Sequence, residues 1–557
     1  MKILSSSGLQ ATLIFSTIFC LSLNAQYRDY KVMTNTVSLL GREYPGTCTV
    51  KSLVRTATGK EIWLLAIGKG EKDSKPAVAV IGGIEGNHIS GKELALGFAE
   101  LLLKNSGAPE VSKLLDKITF YIIPDVSPDA SEAFFNTPVY ERLSNNRPVD
   151  DDRDFIVDED PFEDLDNNGF ITLIRVTDPA GDYTLCPDDE RIMIPADIAK
   201  GQSGSYFIYT EGIDNDKDGK FNEDGPGGVC FNRNLTFNYE EFGQYAGLHP
   251  VSEPEVKAVM DFFYDHFNIF TVFAFSPQDN LGQPIKSQER ASSGESSSRP
   301  DQSAQLQGER RMMQQNRRIT SIMKSDEKIN KYVSEKYHEI KGAPPSPSVP
   351  GNFMEWVYYH YGRYSFSTPG WWFPAEKNKN PEAEFLKYAS ENNLEDAFIP
   401  WKEIKHPDFP GKKTEAGGLK PFAMINPPPE KLPELITKTY EFILAVSSMH
   451  PELEFLDVTT EDQGDNIHRL SLKVHNRGLL ATCTEAGDNN MWTRIMRITI
   501  ECGKDQKLIS GRKVQRIQRL EGDKSAEFSW LIAGKGHVKI TAGAANTGII
   551  TTTAEMK

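Results

Sequence analysis

Two acidic segments of the chain have the residue spacing of a calcium-binding loop. In each segment oxygen-bearing side chains alternate and a glycine follows; they are Asp164, Asp166 and Asn168 in the first and Asp214, Asp216 and Asp218 in the second. Oxygen ligands at alternate positions can wrap a hard cation, and the glycine permits the sharp turn. The bidentate glutamate that normally ends such a loop is absent, so a neighbouring loop would have to complete the shell. We expect a structural calcium ion here, with solvated acidic loops as the alternative.

A glutamate and a histidine three residues apart form a second candidate metal pair. Glu85 and His88 lie between the apolar run 77–81 and a helical stretch. Carboxylate oxygen and imidazole nitrogen both bind Zn²⁺, which lowers the pKa of a bound water towards ~7 when one coordination position stays open. Two ligands do not complete such a site, so the pair predicts zinc only if a third ligand lies elsewhere in the chain.

Apolar runs alternate with helical stretches from about residue 30 to 275. The predicted buried strands are 62–67, 77–81, 118–123 and 270–275, and the predicted helices include 91–103 and 254–267. This alternation is typical of an α/β fold in which helices flank a mixed, mostly parallel sheet. The sheet would bring the residues at its strand ends together.

The pattern changes near residue 452. Short alternating runs such as 469–474 and 494–501 recur about every ten residues and predict a C-terminal all-β sandwich. We therefore divide the chain into a signal peptide (1–25), an α/β domain (26–450) and the sandwich (451–557). Two insertions interrupt the α/β domain: an acidic calcium-loop segment at 150–225 and a polar segment at 285–315, which lacks apolar periodicity and is predicted to be disordered.

The N-terminus and the composition bear on location and partners. Lys2, an apolar run to Leu23 and the small Ala25 are typical of an export signal, and no later segment is long and apolar enough to cross a membrane. We expect a secreted or periplasmic protein. Cys483 and Cys502 flank an apparent hairpin and are the first candidates for a disulfide. A formal charge of −16 disfavours nucleic acid and anionic membranes as partners.

Five short motifs then occur in a fixed order along residues 30–425. They are Gly82–His88, Pro124–Ala130, Val229–Asn234, Ser252–Glu255, and Glu355–Trp356 followed by Tyr364–Ser367. In this order they resemble the motifs of the zinc carboxypeptidase family, the carboxypeptidase A-like metallopeptidases. The resemblance implies a carboxypeptidase-like fold, zinc as cofactor and removal of a peptide's C-terminal residue as the family activity.

The family residues that hold the substrate are matched. Asn232 and Arg233 match the Asn-Arg pair that grips the free C-terminal carboxylate, a group that suits bidentate arginine. Arg142 matches the arginine that stabilises the oxyanion, by its separation from Ser127, although Arg147 is a nearby rival. The resemblance therefore implies peptide or protein C-termini as partners, including those of cell-wall peptides.

The family residues that cut the peptide are not matched. Glu85 and His88 stand in the reverse of the family order, and the third zinc ligand falls on Ser276, whose hydroxyl is a poor ligand. The general base falls on Pro369, which cannot accept a proton. General-base catalysis alone typically contributes ~10²–10⁴-fold. We therefore predict an impaired enzyme.

Three functions remain open at this point. The first is a secreted family member that binds peptide C-termini with little or no hydrolysis. The second is an active metallo-hydrolase with a non-standard zinc site at Glu85 and His88, which metal content and alanine substitutions at both positions would test. The third is a calcium-stabilised, non-enzymatic binding or adhesion protein, which would be indifferent to amidation of a peptide's C-terminus.

Overall fold

The computed structural model describes residues 26–149, 157, 160–215, 217, 219, 227–287, 321–342, 352–489 and 492–557. The predicted signal peptide (1–25), Asp216, Asp218 and residues 288–315 of the polar insertion lie outside the described residues. The described helices are α1 (Tyr30–Glu43), α2 (Ile89–Lys104), α3 (Pro109–Lys117), α4 (Pro128–Ser131), α5 (Pro254–Asp265), α6 (Lys324–Lys341), α7 (Asn352–Trp356), α8 (Pro381–Glu391), α9 (Leu432–Ser447) and α10 (Glu485–Asp488).

The described strands fall into four sheets. They are β1 (Cys48–Arg55), β2 (Glu61–Ile67), β3 (Ala77–Ile81), β4 (Thr119–Ile123), β5 (Leu173–Thr177), β6 (Tyr183–Leu185), β7 (Met193–Pro195), β8 (Tyr206–Thr210), β9 (Ile269–Phe275), β10 (Tyr364–Thr368), β11 (Phe398–Ile404), β12 (Thr414–Leu419), β13 (Leu453–Asp462), β14 (Ile467–Asn476), β15 (Arg497–Glu501), β16 (Lys507–Ser510), β17 (Val514–Arg516), β18 (Lys524–Ala533), β19 (Gly536–Ala544) and β20 (Gly548–Met556).

The central sheet has the order β1-β2-β4-β3-β9-β10. Strands β4, β3, β9 and β10 pair in parallel, and β1 and β2 add antiparallel pairs at one edge. Its buried strands are apolar on both faces, as expected when helices cover each side. Val78 and Val80 pack in the cluster that includes residues of α2 and α9, whereas Ala79 and Ile81 pack in the cluster that includes residues of α5. The predicted α/β fold with a mixed, mostly parallel sheet is confirmed.

A second sheet of the described residues is antiparallel, with the order β11-β12-β5-β8-β6-β7. Strands β5 to β8 come from the predicted acidic insertion, and β11 and β12 come from residues 398–419. The sequence analysis did not anticipate this sheet, because its strands are short and the pairing that joins its two parts, β5 with β12, connects residues about 240 apart in the chain. The sheet ties one end of the acidic segment to the rest of the domain.

The C-terminal region contains two four-stranded antiparallel sheets, β13-β14-β18-β16 and β17-β15-β19-β20. Val474, Ile498 and Trp530 lie in one buried cluster between them, which confirms the predicted β-sandwich. The predicted disulfide is wrong, because Cys483 and Cys502 are both unpaired in the structure. The two cysteines lie on opposite sides of a connection that is not a simple hairpin, since α10 intervenes.

A buried arginine joins the sandwich region to the central sheet. Arg363, 1% exposed, donates to the carbonyl of Ile269 at 2.6 Å, to the Thr493 hydroxyl at 2.8 Å and to the carbonyl of Trp492 at 3.0 Å. Hydrogen bonds from one buried guanidinium to both regions hold them in a fixed relation. Among the described helices, none has the length and hydropathy needed to span a bilayer.

Candidate functional site

The predicted site residues follow the carboxyl ends of the parallel strands. Loop 82–88 follows β3, residues 124–131 follow β4, residues 276–282 follow β9 and residues 369–373 follow β10. Because the carboxyl ends of parallel strands meet at one edge of a sheet, these loops converge there. This edge is the usual position of a ligand site in such a fold.

The first loop is held tightly against its neighbours. Gly83 has a φ of +68°, and a Cβ atom there would lie 2.1 Å from Oδ1 of Asp125. A Cβ atom on Gly86 would lie 2.2 Å from the Cβ of Ala130 and 2.8 Å from the carbonyl oxygen of Arg142. The absence of a side chain at the two glycines therefore lets the loop lie close to residues 125–130 and to Arg142. This close packing fixes the position of Glu85.

Glu85 is the centre of a hydrogen-bond network. Its Oε1 accepts from Nδ2 of Asn232 at 2.8 Å and from Nε2 of Gln278 at 3.1 Å, and its Oε2 accepts from Sγ of Cys230 at 3.4 Å. Burial and the nearby Glu85 charge raise the pKa of the Cys230 thiol, so the thiol stays protonated and can donate. The carboxylate is thus stabilised by protein donors.

His88 is directed at the position where the sequence lacks a base. It is 1% exposed, and its Nε2 donates to the carbonyl of Pro369 at 3.1 Å. Its Nδ1 faces the carbonyl of Phe275 without a hydrogen bond of standard geometry, and the first turn of α2 covers it, since a Cβ on Gly91 would lie 2.8 Å away. Burial lowers the pKa of His88 to about 4, so the ring is neutral at pH 7.

The two places where the sequence departs from the family motifs, Ser276 and the end of β10 before Pro369, also make hydrogen bonds within the protein. The Ser276 hydroxyl donates to the side chain of Gln278, and its amide donates to the carbonyl of Thr368 at 3.1 Å. The Thr368 hydroxyl lies 2.6 Å from the Tyr337 hydroxyl and also accepts from the amide of Gly370 at 3.1 Å. These contacts cross-link the ends of β9 and β10 and leave Ser276 engaged within the protein.

Zinc is the metal that the family motifs imply, and these donors do not fit it. The lone pairs of Glu85 accept from amides and a thiol, and the imidazole of His88 is occupied on the Nε2 side and covered on the Nδ1 side. A catalytic zinc site needs three protein ligands and an open position. Among the described residues, Glu85 and His88 belong to no group of three His, Cys, Asp or Glu side chains that converge on one point.

The predicted substrate-holding residues lie in different environments. Both amide hydrogens of buried Asn232 are used, by Glu85 and by Gln278, and its Oδ1 accepts from the amide of Phe353 at 2.8 Å. Arg233 is exposed; its Nη1 donates to the carbonyl of Gln244 at 3.0 Å. Of the predicted pair, Arg233 is the residue whose guanidinium faces solvent.

Arg142 is bound to backbone in the structure. Its guanidinium donates to the carbonyls of Ser144 at 3.0 Å, Asn145 at 2.5 Å and Gly227 at 3.0 Å. Its rival Arg147 forms an ion pair with Glu253 at 2.6 Å. Arg142 thus supports the segment that leads to Val229, Arg147 is joined to the start of α5, and neither guanidinium is directed at Glu85 by any of these contacts.

The first acidic loop brings carboxylates together. Ligand oxygens of Asp164, Asp166 and Glu211 lie within 4.8 Å of one another. The Asp164 carboxylate accepts from the amides of Asn168 at 3.0 Å and Gly169 at 2.8 Å, which gives the loop its turn. Glu211 is fully buried and burial raises its pKa. The sequence analysis anticipated that another loop would complete the shell, but did not identify Glu211.

The second acidic loop is described only in part. Asp214 accepts from the amide of Gly219 at 3.0 Å, the bond expected for a calcium-type turn, and its own amide donates to Asp408 at 3.1 Å. Asp216 and Asp218 lie outside the described residues. The calcium prediction at the second loop therefore stays a prediction. In the first loop the predicted ligand Asn168 is described, and its Oδ1 accepts from the amide of Phe170 at 2.7 Å.

Comparisons with known proteins agree with the motifs. A family model described as zinc carboxypeptidase matches residues 33–170, and a model described as a domain of unknown function (DUF8731) matches residues 452–555. The first match contains Glu85, His88 and Arg142. The positions of Asn232, Arg233, Ser276 and Pro369 lie beyond its end.

Several carboxypeptidases are similar to part of the chain. Human (Homo sapiens) carboxypeptidase D is 27% identical over 181 residues, 32% of this chain and 12% of that protein. Carboxypeptidase E of Caenorhabditis elegans is 33% identical over 137 residues, 23% of this chain and 27% of that protein. The inactive metallocarboxypeptidase ECM14 of Saccharomyces cerevisiae is 30% identical over 108 residues, 19% of this chain and 25% of that protein. The matched stretches thus span about a quarter or less of these relatives.

Solved structures align over a larger share at low identity. The crystal structure of thrombin activatable fibrinolysis inhibitor aligns with a TM-score of 0.41 and 14% identity, covering 76% of this chain and 74% of that one. The metallo-carboxypeptidase from Burkholderia cenocepacia aligns with a TM-score of 0.35 and 12% identity, covering 75% and 69%.

Proposed function

We propose that this chain belongs to the zinc carboxypeptidase family, whose model matches residues 33–170, and that it is an exported protein that binds peptide C-termini without hydrolysing them by zinc chemistry. One observation carries the proposal: the His88 imidazole donates to the backbone of Pro369, the residue at the position of the family's general base. This contact occupies Nε2, and the other ring nitrogen, Nδ1, is buried beneath the first turn of α2, so neither nitrogen is open to a metal. The contact therefore supports a site that has exchanged metal ligation for structural hydrogen bonding.

Arg233 carries the binding half of the proposal. Among the described contacts, the carbonyl of Gln244 engages its Nη1, and the guanidinium lies 5.8 Å from the ring centroid of Tyr245. A guanidinium has five N–H donors in a fork that matches a carboxylate, so this exposed group retains donors for a peptide's C-terminus. Because Asn232 is engaged with Glu85, the grip depends on the arginine.

The loss of hydrolysis is tested by supplying zinc. The purified chain, incubated with excess Zn²⁺ and unblocked peptides, should release no C-terminal amino acid above the rate of a sample with chelator. It should also retain less than stoichiometric zinc after dialysis. Zinc-dependent release that is lost in the Glu85→Ala, His88→Ala double variant would establish the active metallo-hydrolase instead.

The binding is tested with paired peptides. Calorimetry should show a peptide with a free C-terminal carboxylate binding about tenfold more tightly than the same peptide amidated, since a charge-assisted hydrogen bond contributes roughly 1.5–3 kcal/mol. Arg233→Ala should abolish the difference, whereas Arg516→Ala, an exposed arginine of β17, should not. Equal affinity for the two peptides in the unmodified protein would contradict the proposal and favour a binding or adhesion role that ignores the C-terminus.

A structural calcium ion at the first acidic loop belongs to the same proposal. The Asp166 side chain is 3% exposed and Glu211 is buried, so their charges and that of Asp164 meet where water screens them poorly. The ammonium of Lys402 lies 3.8 Å from Asp166 and is largely exposed. A hard divalent cation would offset the repulsion and complete the oxygen shell.

A further inference from the structure

A cavity of about 290 Å³ lies at the edge of the central sheet, beside His88. It is lined by the two prolines at the strand ends, Pro277 and Pro369, and by three consecutive aromatic residues, Trp371, Trp372 and Phe373. Pro381 of α8 and Met424 complete much of the remaining wall. The cavity therefore lies where the fold ordinarily places a ligand, and its walls are aromatic and proline side chains.

The described lining is uncharged at neutral pH. His88 is its one ionisable residue, and burial holds the pKa of that ring at about 4. No Asp, Glu, Lys or Arg side chain is among the described lining residues. An ionic group placed here would lose hydration without gaining a partner. The cavity thus selects a neutral ligand.

The two tryptophans add hydrogen-bond donors to this apolar wall. Within the part of the chain that the structure describes, the indole N–H groups of Trp371 and Trp372 have no hydrogen-bond partner, and neither nitrogen is sealed from solvent. The rings are fixed by packing: Trp371 lies 6.2 Å from Tyr388 and Trp372 lies 6.3 Å from Tyr337, measured between ring centroids. A tryptophan in such a place usually finds an acceptor for its N–H.

Trp371 also lines a second cavity. This cavity measures about 530 Å³, and its walls again combine aromatic rings, such as Phe134 and Phe422, with a proline run at residues 427–429. Polar side chains are present at this second cavity, among them Asp396 and Lys420. Of these two cavities, only the one beside His88 has no Asp, Glu, Lys or Arg among its described lining residues.

These features specify a ligand with flat apolar faces and carbonyl acceptors but without charge. A proline-rich segment in the polyproline II conformation has these properties, because its rings stack on aromatic side chains, its carbonyls are not used internally and it loses little entropy on binding. An oligosaccharide would present many hydroxyl groups, and the lining near His88 offers few partners for them. We propose that the cavity bounded by Trp371 and Trp372 binds an uncharged proline-rich peptide segment.

The proposal goes beyond C-terminus binding and does not depend on it, since Arg233 does not line this cavity. The probe is an acetylated and amidated oligoproline peptide, which has no free carboxylate. The controls are a capped alanine–glycine peptide of equal length and a neutral oligosaccharide. Calorimetry should show binding of the oligoproline that changes little with salt concentration, and weaker or absent binding of both controls.

Variants at Trp372 distinguish the contribution of the apolar face of the indole ring to the affinity from that of its N–H group. Trp372→Ala should weaken oligoproline binding by about 30-fold, which corresponds to about 2 kcal/mol for an aromatic anchor. Trp372→Phe keeps an apolar face, loses the donor and should weaken binding by roughly 3- to 10-fold. The control Trp401→Phe alters an indole of β11 that already donates to the carbonyl of Arg191 and should leave affinity unchanged. Circular dichroism would confirm that each variant is folded.

Three results would overturn the proposal: no oligoproline binding, equal affinity in folded Trp372→Phe and Trp372→Ala variants and the unmodified protein, or tighter binding of the oligosaccharide. The Arg233→Ala variant keeps the two proposals distinct. It should bind the capped oligoproline normally even where it no longer distinguishes free from amidated C-termini.

Discussion

Two carboxylate-centred regions of this molecule were candidates for a metal, and they differ in what surrounds the carboxylates. Glu85 at the sheet edge accepts hydrogen bonds from two amides and a thiol. Glu211 in the acidic region accepts from backbone and a threonine, yet it also meets the oxygens of Asp164 and Asp166 within 4.8 Å. The first region satisfies its negative charge with protein donors, whereas the second concentrates charge.

This difference shows what residue spacing can and cannot report. Glu85 and His88 have ligand-type spacing, but among the described residues no third ligand converges on them, and their hydrogen bonds join them to neighbours from distant parts of the chain. The acidic loop has both the spacing and the convergence. A metal site needs several ligand atoms that converge on one point, so the folded arrangement around a motif decides between a metal site and a structural network.

The largest expected effect that would sharpen this contrast is the dependence of stability on the ionisation of His88. Burial lowers its pKa from 6.5 to about 4. Between these values the unfolded chain binds a proton that the folded chain does not, so stability is complete above about pH 6.5 and falls as the pH drops towards 4. The loss is about 3 kcal/mol, since each unit of pKa corresponds to about 1.4 kcal/mol. Urea unfolding at pH 7 and pH 3.5, on either side of both pKa values, measures it.

The His88→Asn variant is the matched comparison, because it removes the titrating ring but keeps a side chain suited to a helix N-terminus. The difference in stability between the two pH values should be smaller in this variant by most of that amount. An equal pH dependence in both proteins would mean that His88 is solvated or bound to a metal, and the sheet edge would then resemble the acidic region.

A smaller effect is expected from calcium at the acidic loop. Free Ca²⁺ at about one hundred times its dissociation constant should stabilise the folded chain by about 2.7 kcal/mol, which raises the melting temperature by several degrees, and chelator should reverse the shift. Glu211→Gln should reduce the shift because it removes one of three converging charges. Differential scanning calorimetry with and without Ca²⁺ measures the shift.

The control variant is Asp505→Asn, which removes one exposed carboxylate elsewhere and should respond to Ca²⁺ as the unmodified protein does. A melting temperature that ignores Ca²⁺ and chelator would remove the contrast between the two regions. The acidic loop would then be a turn stabilised by the amides of Asn168 and Gly169 alone.

Much of the fold followed from local pattern. The buried strands β3 and β9 are continuous apolar runs, and the alternation in β14 leaves one face polar, so both sheet types could be predicted. The sheet formed by β5–β8 with β11 and β12 could not, because its short strands carry little periodicity and its two parts are joined by the pairing of β5 with β12, about 240 residues apart. Local sequence does not encode such a partner.

The sequence was sufficient to predict which residues lie at the site, but not which partners those residues contact. Ser276 and Pro369 were identified from the motif positions alone. Their engagement with Gln278 and His88 depends on the turn after β9 and on the end of β10, which meet only in the folded sheet. Gln278 itself had no signal in the sequence, since a lone glutamine after a strand is ordinary. Glu211 was missed for a different reason, because it lies far from Asp164 along the chain.

The smallest of these effects separates a hydrogen-bond acceptor from a metal ligand at Glu85. Glu85→Gln keeps an oxygen that can accept from both Asn232 and Gln278, so it should cost less than about 1 kcal/mol of stability. Glu85→Ala leaves the two amides without an acceptor and should cost about 1–3 kcal/mol. Thermal unfolding with zinc and with chelator should give the same order of stability for the two variants and the unmodified protein. If Glu85→Gln instead destabilised the fold as much as Glu85→Ala, and zinc stabilised the unmodified protein alone, the charge of Glu85 would be holding a metal and the contrast with the acidic loop would disappear.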